Sequence, residues 1–330
     1  MTNRDLIAVG ASAGGVEALR ALVAGLPADL PAAVLVVLHL PRSAPSALPQ
    51  ILTRSGPLPA AIATDGEEPA PGRIYVAPAD RHLLVLDGRI RLSHGPAENG
   101  HRPAVDPLFR SAARALADRV IAVVLSGSGD DGAVGAAAVA AAGGAVVVQA
   151  PEDALHPTMP RAVLTRVPRA RVAVAAELGV LLAELSREKV PGLPGPDDPL
   201  LAGEVAIDAF GEPTTDLLPG EPSGFGCPSC GGALFTFSDS PVPRFRCRVG
   251  HAWSPESLLD EQAVATEGAL WQALRALEEK AELGRRMAGA AGGRSYQLRF
   301  EQMAVDATEA GALIRGLLDR LAGSSATQQE

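Results

Sequence analysis

A serine in a glycine-rich turn, a histidine closing an apolar run and two adjacent aspartates form the first set of residues that could do chemistry. Ser12 stands in Val9-Gly10-Ala11-Ser12-Ala13-Gly14-Gly15, between a strand-like run and a helix-like one. A serine hydroxyl is a weak nucleophile and needs a base within reach. At the first turn after a strand, the following helix N-terminus can stabilise negative charge developing on a substrate oxygen. His39, in Val37-Leu38-His39-Leu40-Pro41, ends a second apolar run and is the candidate base, although a single histidine also has a structural reading. Leu125-Ser126-Gly127-Ser128-Gly129-Asp130-Asp131-Gly132 ends a third run and supplies two carboxylates. One could fix the imidazole tautomer and balance the imidazolium; the other could cap the helix that follows. A phosphate-binding loop is the competing reading of the Ser12 turn. Against it, the pattern is G-x-S-x-G-G, and the second run ends in His39 where a dinucleotide site would place an acid.

The second set is a metal pattern. Cys227-Pro228-Ser229-Cys230 is followed after sixteen residues by Cys247 and after three more by His251. This C-x₂-C-x₁₆-C-x₃-H spacing fits a structural zinc site, and four protein ligands leave no open position for catalysis. All three cysteines of the chain lie in it. A redox C-x-x-C would call for a thioredoxin-like βαβ context, which the surrounding sequence lacks. Arg244, Arg246 and Arg248 alternate with Phe245 and Cys247. That period predicts a ribbon hairpin with the arginines on its solvated face and Phe245 and Cys247 inward.

These residues need a frame. Leu6–Gly10, Ala33–Leu38, Arg73–Ala77, Val120–Leu125 and Gly144–Gln149 read as strands, and helical spacing marks Val16–Leu26 and Asp106–Ala117. His82–Leu86 and Arg89–Ser93 flank Asp87-Gly88, a hairpin signal. Continuous apolar strands alternating with helices predict an α/β fold with a doubly wound, mostly parallel sheet and ligands at the C-terminal strand ends. The sequence divides into a catalytic domain over 1–189, a Pro/Gly-rich linker over 190–224, a zinc-ribbon-like module over 225–254, a helical hairpin over 255–322 and a disordered tail over 323–330. In the hairpin, Ser254 and Pro255 read as a helix start. Leu258, Leu259, Ala263, Leu270, Leu274 and Leu277 mark the first apolar stripe. Gly292-Gly293 breaks the run, and Phe300, Met303, Ala307, Leu313, Leu317 and Leu321 mark the second.

Composition excludes several classes. The 330 residues suffice for one sizeable domain and something smaller, and 47% are apolar. A formal charge of −9 opposes nucleic-acid binding. No run reaches the roughly 18 apolar residues of a membrane span, and the N-terminus lacks signal-peptide architecture. A cytoplasmic protein is expected.

The Gly10–Gly15 turn resembles the nucleophile loop of the protein-glutamate methylesterase (CheB) family. So do His39-Leu40-Pro41, Val76-Ala77-Pro78-Ala79-Asp80-Arg81-His82, Arg102-Pro103-Ala104-Val105-Asp106-Pro107-Leu108-Phe109-Arg110-Ser111, Gly127–Ala133 and Met159-Pro160-Arg161-Ala162. The resemblance spans roughly residues 5–185 in order. It implies Ser12 as nucleophile, His39 as general base and Asp131, the second carboxylate, as the triad acid. It also implies hydrolysis of glutamyl methyl esters on methylated chemoreceptor helices in bacterial chemotaxis, with glutamine deamidation by the same triad. The order Ser, His, Asp differs from the Ser, Asp, His of α/β-hydrolases. Two positions depart from the family: Ala13 where Thr is frequent and Ser128 where Met is frequent. Arg81 and Arg110 are candidate receptor contacts beside a structural reading of each. The chain is expected to begin at the first catalytic strand, without a phospho-receiver domain. Its ribbon and helices are expected to serve as a docking or dimerising surface. The alternatives are a non-catalytic scaffold of the same fold, or an esterase for another methylated signalling protein.

Overall fold

The computed structural model describes residues 1–41, 46–210, 220–237 and 243–327. The chain forms two compact units, Met1–Leu258 and Leu259–Glu330. In chain order the strands and helices of the first unit start with β1 (Thr2–Asn3), β2 (Leu6–Ala11), α1 (Gly15–Ala24), β3 (Ala33–Leu38), α2 (Leu48–Ser55), β4 (Ala60–Ile62) and β5 (Ile74–Val76). The β6–β7 hairpin (His82–Leu86, Arg89–Ser93), α3 (Val105–Leu116), β8 (Val120–Val124), α4 (Ala133–Ala141), β9 (Ala145–Gln149), α5 (Thr158–Arg166), β10 (Arg171–Ala173) and α6 (Ala175–Arg187) come next. The unit continues with β11 (Lys189–Val190), α7 (Pro199–Asp208) and the ribbon strands β12 (Glu221–Gly226), β13 (Ala233–Phe237), β14 (Arg244–Cys247) and β15 (Ala252–Trp253). Helices α8 (Pro255–Ala290) and α9 (Arg294–Thr327) complete the chain.

Seven strands form one sheet in the order β10-β9-β8-β2-β3-β5-β4, with every neighbouring pair parallel. Every residue of β2, β3 and β8 is buried. That is what continuous Val, Leu, Ile and Ala runs require when both sheet faces are covered. One face packs on α1, α2 and α6, the other on α3, α4 and α5. From β2 the chain winds outward through β3; it then returns to the other flank of β2 at β8. This reversal creates a crevice at the C-terminal ends of β8, β2 and β3. Asp87 (φ 51°) and Gly88 (φ 73°) form the tight turn of the β6–β7 hairpin, as their identities predict.

Residues 190–224 are not a linker throughout. Pro199–Asp208 is helical, capped by the Asp198 carboxylate, which accepts from the Leu200 and Leu201 N–H groups. It buries Leu201, Val205 and the acidic Glu204 and Asp208. The Pro/Gly-rich reading missed it because an Asp-Pro pair also starts a helix. Residues 211–219 of the expected linker lie outside the described residues.

In the second unit, small residues set the pairing of the helices. Ala281, Ala288, Ala304 and Ala307 are buried, a Cβ on Gly284 would meet the Phe300 carbonyl at 3.0 Å and Ala304 at 3.2 Å, and Gly311 lies against Leu274. The expected stripe is therefore corrected: Leu313, Leu317, Leu321 and Leu259 are exposed. The expected disordered tail, 323–330, is helical up to Thr327, and 328–330 lie outside the described residues.

Candidate active site

The crevice gathers the three predicted residues from three adjacent strands. Ser12 follows β2 directly and His39 follows β3. Asp131 lies in the loop after β8. His39 Nδ1 is 3.1 Å from Ser12 Oγ, and His39 Nε2 is 2.7 Å from Asp131 Oδ2. With Nε2–H donating to Asp131, Nδ1 keeps its lone pair for the serine proton. The ring is used in the opposite sense from the trypsin-like relay, where Nε2 faces the serine.

Asp131 is held by more than the imidazole. Its Oδ2 also accepts from Val105 N–H at 2.7 Å and its Oδ1 from Asp106 N–H at 3.0 Å. It therefore caps α3 across the crevice, not the helix that follows it. Burial by itself would raise the Asp131 carboxyl. The His39 hydrogen bond and charge, with the Val105 N–H, outweigh it and hold the group below the ordinary carboxylate range. Asp130, the neighbouring carboxylate, accepts from Ser254 Oγ at 2.8 Å and Ser257 Oγ at 2.9 Å. The expected α4 cap falls to neither acid, because the capping position is Gly132.

His101 was not anticipated. Its ring stacks on that of His39, centroids 3.7 Å apart and planes 16° from parallel. A tight turn presents it: Glu98 and His101 exchange both backbone hydrogen bonds, with Asn99 (φ 50°) and Gly100 (φ 78°) between them. Asn-Gly is the strongest two-residue hairpin signal, so the sequence did contain the clue. Burial, then the charge of His39, pushes the His101 pKa down to about 4. Burial also lowers that of His82. Both imidazoles are thus neutral in the fold, while an unfolded chain takes up protons below pH about 6.5. Stability should be fully present above that pH and fall as pH drops toward 4, with His101 contributing on the order of 3 kcal/mol. Urea unfolding at pH 7 and pH 4.5 should show the loss, and His101→Gln should show less of it.

An open cavity of about 370 Å³, lined by His39, Leu40, Pro41, Gly100, His101 and Arg102, adjoins the relay. Arg102 is fixed at its rim by two bonds to Asp80 Oδ1 (3.0 and 2.7 Å) and one to the Gly95 carbonyl (2.8 Å). Ser126, behind the nucleophile loop, donates to the Ala13 carbonyl at 2.7 Å and accepts from His156 N–H at 2.9 Å.

A model of the CheB methylesterase family matches residues 7–182. The chain belongs to the CheB methylesterase family. The protein-glutamate methylesterase/protein-glutamine glutaminase 1 of Xanthomonas euvesicatoria is 46% identical over 138 residues, 41% of this chain and 38% of that protein. The corresponding enzyme 4 of Myxococcus xanthus is 40% identical over 164 residues, 49% of this chain and 46% of that protein. The chain thus spans less than half the length of these curated relatives. Among solved structures, the Thermotoga maritima CheB methylesterase catalytic domain superposes with a TM-score of 0.53 at 33% identity, covering 56% of this chain and 99% of that one.

The ribbon lies beyond the family match. Its strands form a sheet in the order β12-β13-β14-β15. The ligand atoms of Cys227, Cys230, Cys247 and His251 all lie within 4.8 Å of one another. Cys230 Sγ to Cys247 Sγ is 3.7 Å, and His251 Nδ1 is 3.8 Å from Cys227 Sγ and 3.6 Å from Cys247 Sγ. A tetrahedron with metal–sulfur arms of about 2.3 Å has edges of about 3.8 Å, so the four residues could hold a metal ion. Trp253 Nε1–H points at Cys227 Sγ from 3.4 Å, an outer partner for a thiolate.

One expectation here is reversed. Arg244 and Arg246 are not on a solvated face; Arg246 is buried and Arg244 half-buried in an ion cluster with Arg110, Glu98, Glu204 and Asp208. Arg110 pairs through its guanidinium with both oxygens of Glu98 and, at 2.7 Å, with Asp208. It is 1% exposed, which leaves it the structural role and removes it as a receptor contact; Arg81 is exposed. Phe245 and Cys247 do point inward, onto Leu234, Trp253 and Leu258. Alternation identified the two faces of β14 correctly. It carried no information on what covers the second face, which is Glu98 with Glu204 and Asp208 of α7.

Proposed function

We propose that this chain is a serine hydrolase that demethylates glutamyl methyl esters on chemoreceptor helices and deamidates glutamines at such sites. The observation that carries the reading is the assembled relay from Ser12 Oγ through His39 to Asp131. Family membership and the names of the relatives give its chemistry. Ser12 Oγ attacks the ester carbonyl as His39 Nδ1 takes its proton. The tetrahedral adduct expels methoxide, which leaves as methanol with that proton. Water, deprotonated by His39, then cleaves the acyl-enzyme to glutamate and free serine. For glutamine the leaving group is ammonia. The N-terminal turn of α1 supplies N–H groups for the oxyanion. Asp131, kept ionised, stabilises the imidazolium formed in each half-reaction.

Methylated receptor peptides, analysed by mass spectrometry after incubation with the enzyme and with Ser12→Ala, test this. Demethylation by the wild type alone is expected. Equal demethylation by Ser12→Ala ends the assignment. An enzyme that labels with a fluorophosphonate at Ser12 but leaves receptor peptides methylated would move the substrate to another methylated protein.

Zinc is the metal the ligand set favours: three thiolates and one imidazole, with no open position, suit a structural ion. Burial and the adjacent Cys227 push the Cys247 thiol up to about 12 without metal, so the ion's own charge would be what ionises it. Besides the ligands Cys227 and Cys247, the ribbon's apolar core is four residues, Leu234, Phe245, Trp253 and Leu258, small enough that a bound metal would add much of its stability. Elemental analysis should return one zinc per chain. Chelation should red-shift the emission of Trp253, which is 1% exposed, while Trp271, already 54% exposed, changes little.

Among the described residues, no helix is long and apolar enough to cross a membrane. With reduced thiols as ligands and the cytoplasmic face of receptors as substrate, the reading places the protein in the cytoplasm.

A further inference from the structure

The residues that follow the last metal ligand reach the active site in two places. Ala252, next to His251, pairs with the turn that carries His101: Asn99 N–H donates to the Ala252 carbonyl at 2.9 Å and Ala252 N–H to the Ala97 carbonyl at 3.3 Å. The Asn99 side chain then accepts from Ser254 N–H at 2.9 Å. Gly100 and His101 complete this turn, and His101 lies flat on His39. The second place is Asp130. Its buried carboxylate accepts from both Ser254 and Ser257, and the residue after it is Asp131. Ser254 Oγ also accepts from Ser257 N–H at 3.0 Å and so opens α8.

The metal loop is seated as closely. Gly250, between Cys247 and His251, has φ 99°, and a Cβ there would lie 2.6 Å from Pro96 and 2.8 Å from Ile207. No other residue type fits that approach. His251 O accepts from Cys247 N–H at 3.0 Å, so the direction in which the chain leaves the metal loop is fixed by the loop itself.

We propose that the segment Ala252–Ser257 is a strap that makes the geometry of the Ser12–His39–Asp131 relay depend on metal occupancy of the Cys227, Cys230, Cys247 and His251 site. This rests on the hydrolase reading and adds its regulation. With the ion bound, the ribbon holds Ala252 and Ser254 against the 97–101 turn and the Asp130 loop. Without it, the short ribbon core loosens and both attachments lose their fixed partner. His101 then no longer confines the His39 ring, and Asp131 loses the neighbour that anchors its loop. The coupling is physical because one six-residue segment, held at one end by the metal loop, touches both sides of the relay.

The test uses the full chain loaded with zinc, the chelated protein and the chelated protein reloaded with zinc. Ser12 labelling by a fluorophosphonate probe is timed, and hydrogen exchange is followed by mass spectrometry. Chelation is expected to slow labelling about tenfold, within the range usual for coupled sites. It should raise exchange at 97–105 and 126–133 while β2 and β8 stay protected, and zinc should restore both. A zinc-loaded triple variant, Asn99→Gly with Ser254→Ala and Ser257→Ala, removes every side-chain attachment of the strap to the 97–101 turn and to Asp130 without touching a metal ligand, and keeps a residue type suited to the turn. It should retain one zinc, show the raised exchange with metal bound, and label more slowly than wild type. Wild-type labelling and exchange in that variant overturn the proposal, even if the chelated protein unfolds as a whole. A folded protein that never labels, yet shows the metal-dependent exchange, sinks the hydrolase reading and leaves the strap standing.

Discussion

Replacing Ser12 with Ala should lower kcat for methanol release by about 10⁴-fold or more, and His39→Ala should do the same. The two substitutions together should cost little beyond either alone, because serine and imidazole act in one proton transfer. Asp131→Asn should lower kcat by about 10⁴-fold as well. The amide cannot balance the imidazolium, and its NH₂ group would face either His39 Nε2–H or an N–H at the head of α3. Since Asp131 also receives the Val105 and Asp106 N–H groups, this variant should lose stability too, whereas Ser12→Ala should not. Steady-state methanol release with denaturant unfolding on the same samples separates the effects. Near-wild-type kcat in Asp131→Asn would exclude the carboxylate from the relay.

Arg110→Met should destabilise the first unit by about 3–5 kcal/mol, the range for removing one partner of a buried ion pair. Arg110 lies among Glu98, Glu204 and Asp208, and Arg244 and Arg246 complete the cluster. Burial would raise Glu98, but Arg110, Arg244 and Arg246 hold it well below the ordinary carboxylate range. Burial and the charge of Glu98 push Asp208 the other way, so Asp208 is the member that takes a proton first. Without Arg110, Glu98 and Asp208 face each other with only β14 to balance them. At about 2–4 °C per kcal/mol for a unit of this size, the melting temperature should fall by roughly 10 °C. Calorimetry checks it. A fall of only a degree or two would mean that Arg244 and Arg246 suffice. Because two of the three arginines belong to the ribbon, the loss should also show as faster proteolysis near residues 220–258.

How much of this was readable beforehand can be argued from individual residues. Ser12 and His39 were legible because their positions follow from continuous apolar runs, and parallel strands place such run ends along one rim. The choice between Asp130 and Asp131 was not available from residue type. Both stand in the same glycine-rich loop, and the resemblance alone picked Asp131. The coordinates separate them by partner: Asp131 meets His39 and the head of α3, while Asp130 meets Ser254 and Ser257, more than 120 residues away in sequence. The Asn99-Gly100 signal was available and went unread, and with it His101. α7 was hidden by a Pro/Gly-rich flank.

The local quantities could be read from residue order alone: which runs are strands, where the glycine-rich turns fall, and that three cysteines and a histidine stand at metal spacing. Periodicity and spacing suffice there because each depends on residues close along the chain. What meets what across the chain came from the assembled fold: that His101 covers His39, that Arg244 and Arg246 are turned onto Glu98 and Glu204, and that the chain leaving His251 ends on Asp130. Such pairings are set by how separate faces are brought together. An arginine on an alternating strand reads the same from its neighbours whether water or a carboxylate lies opposite.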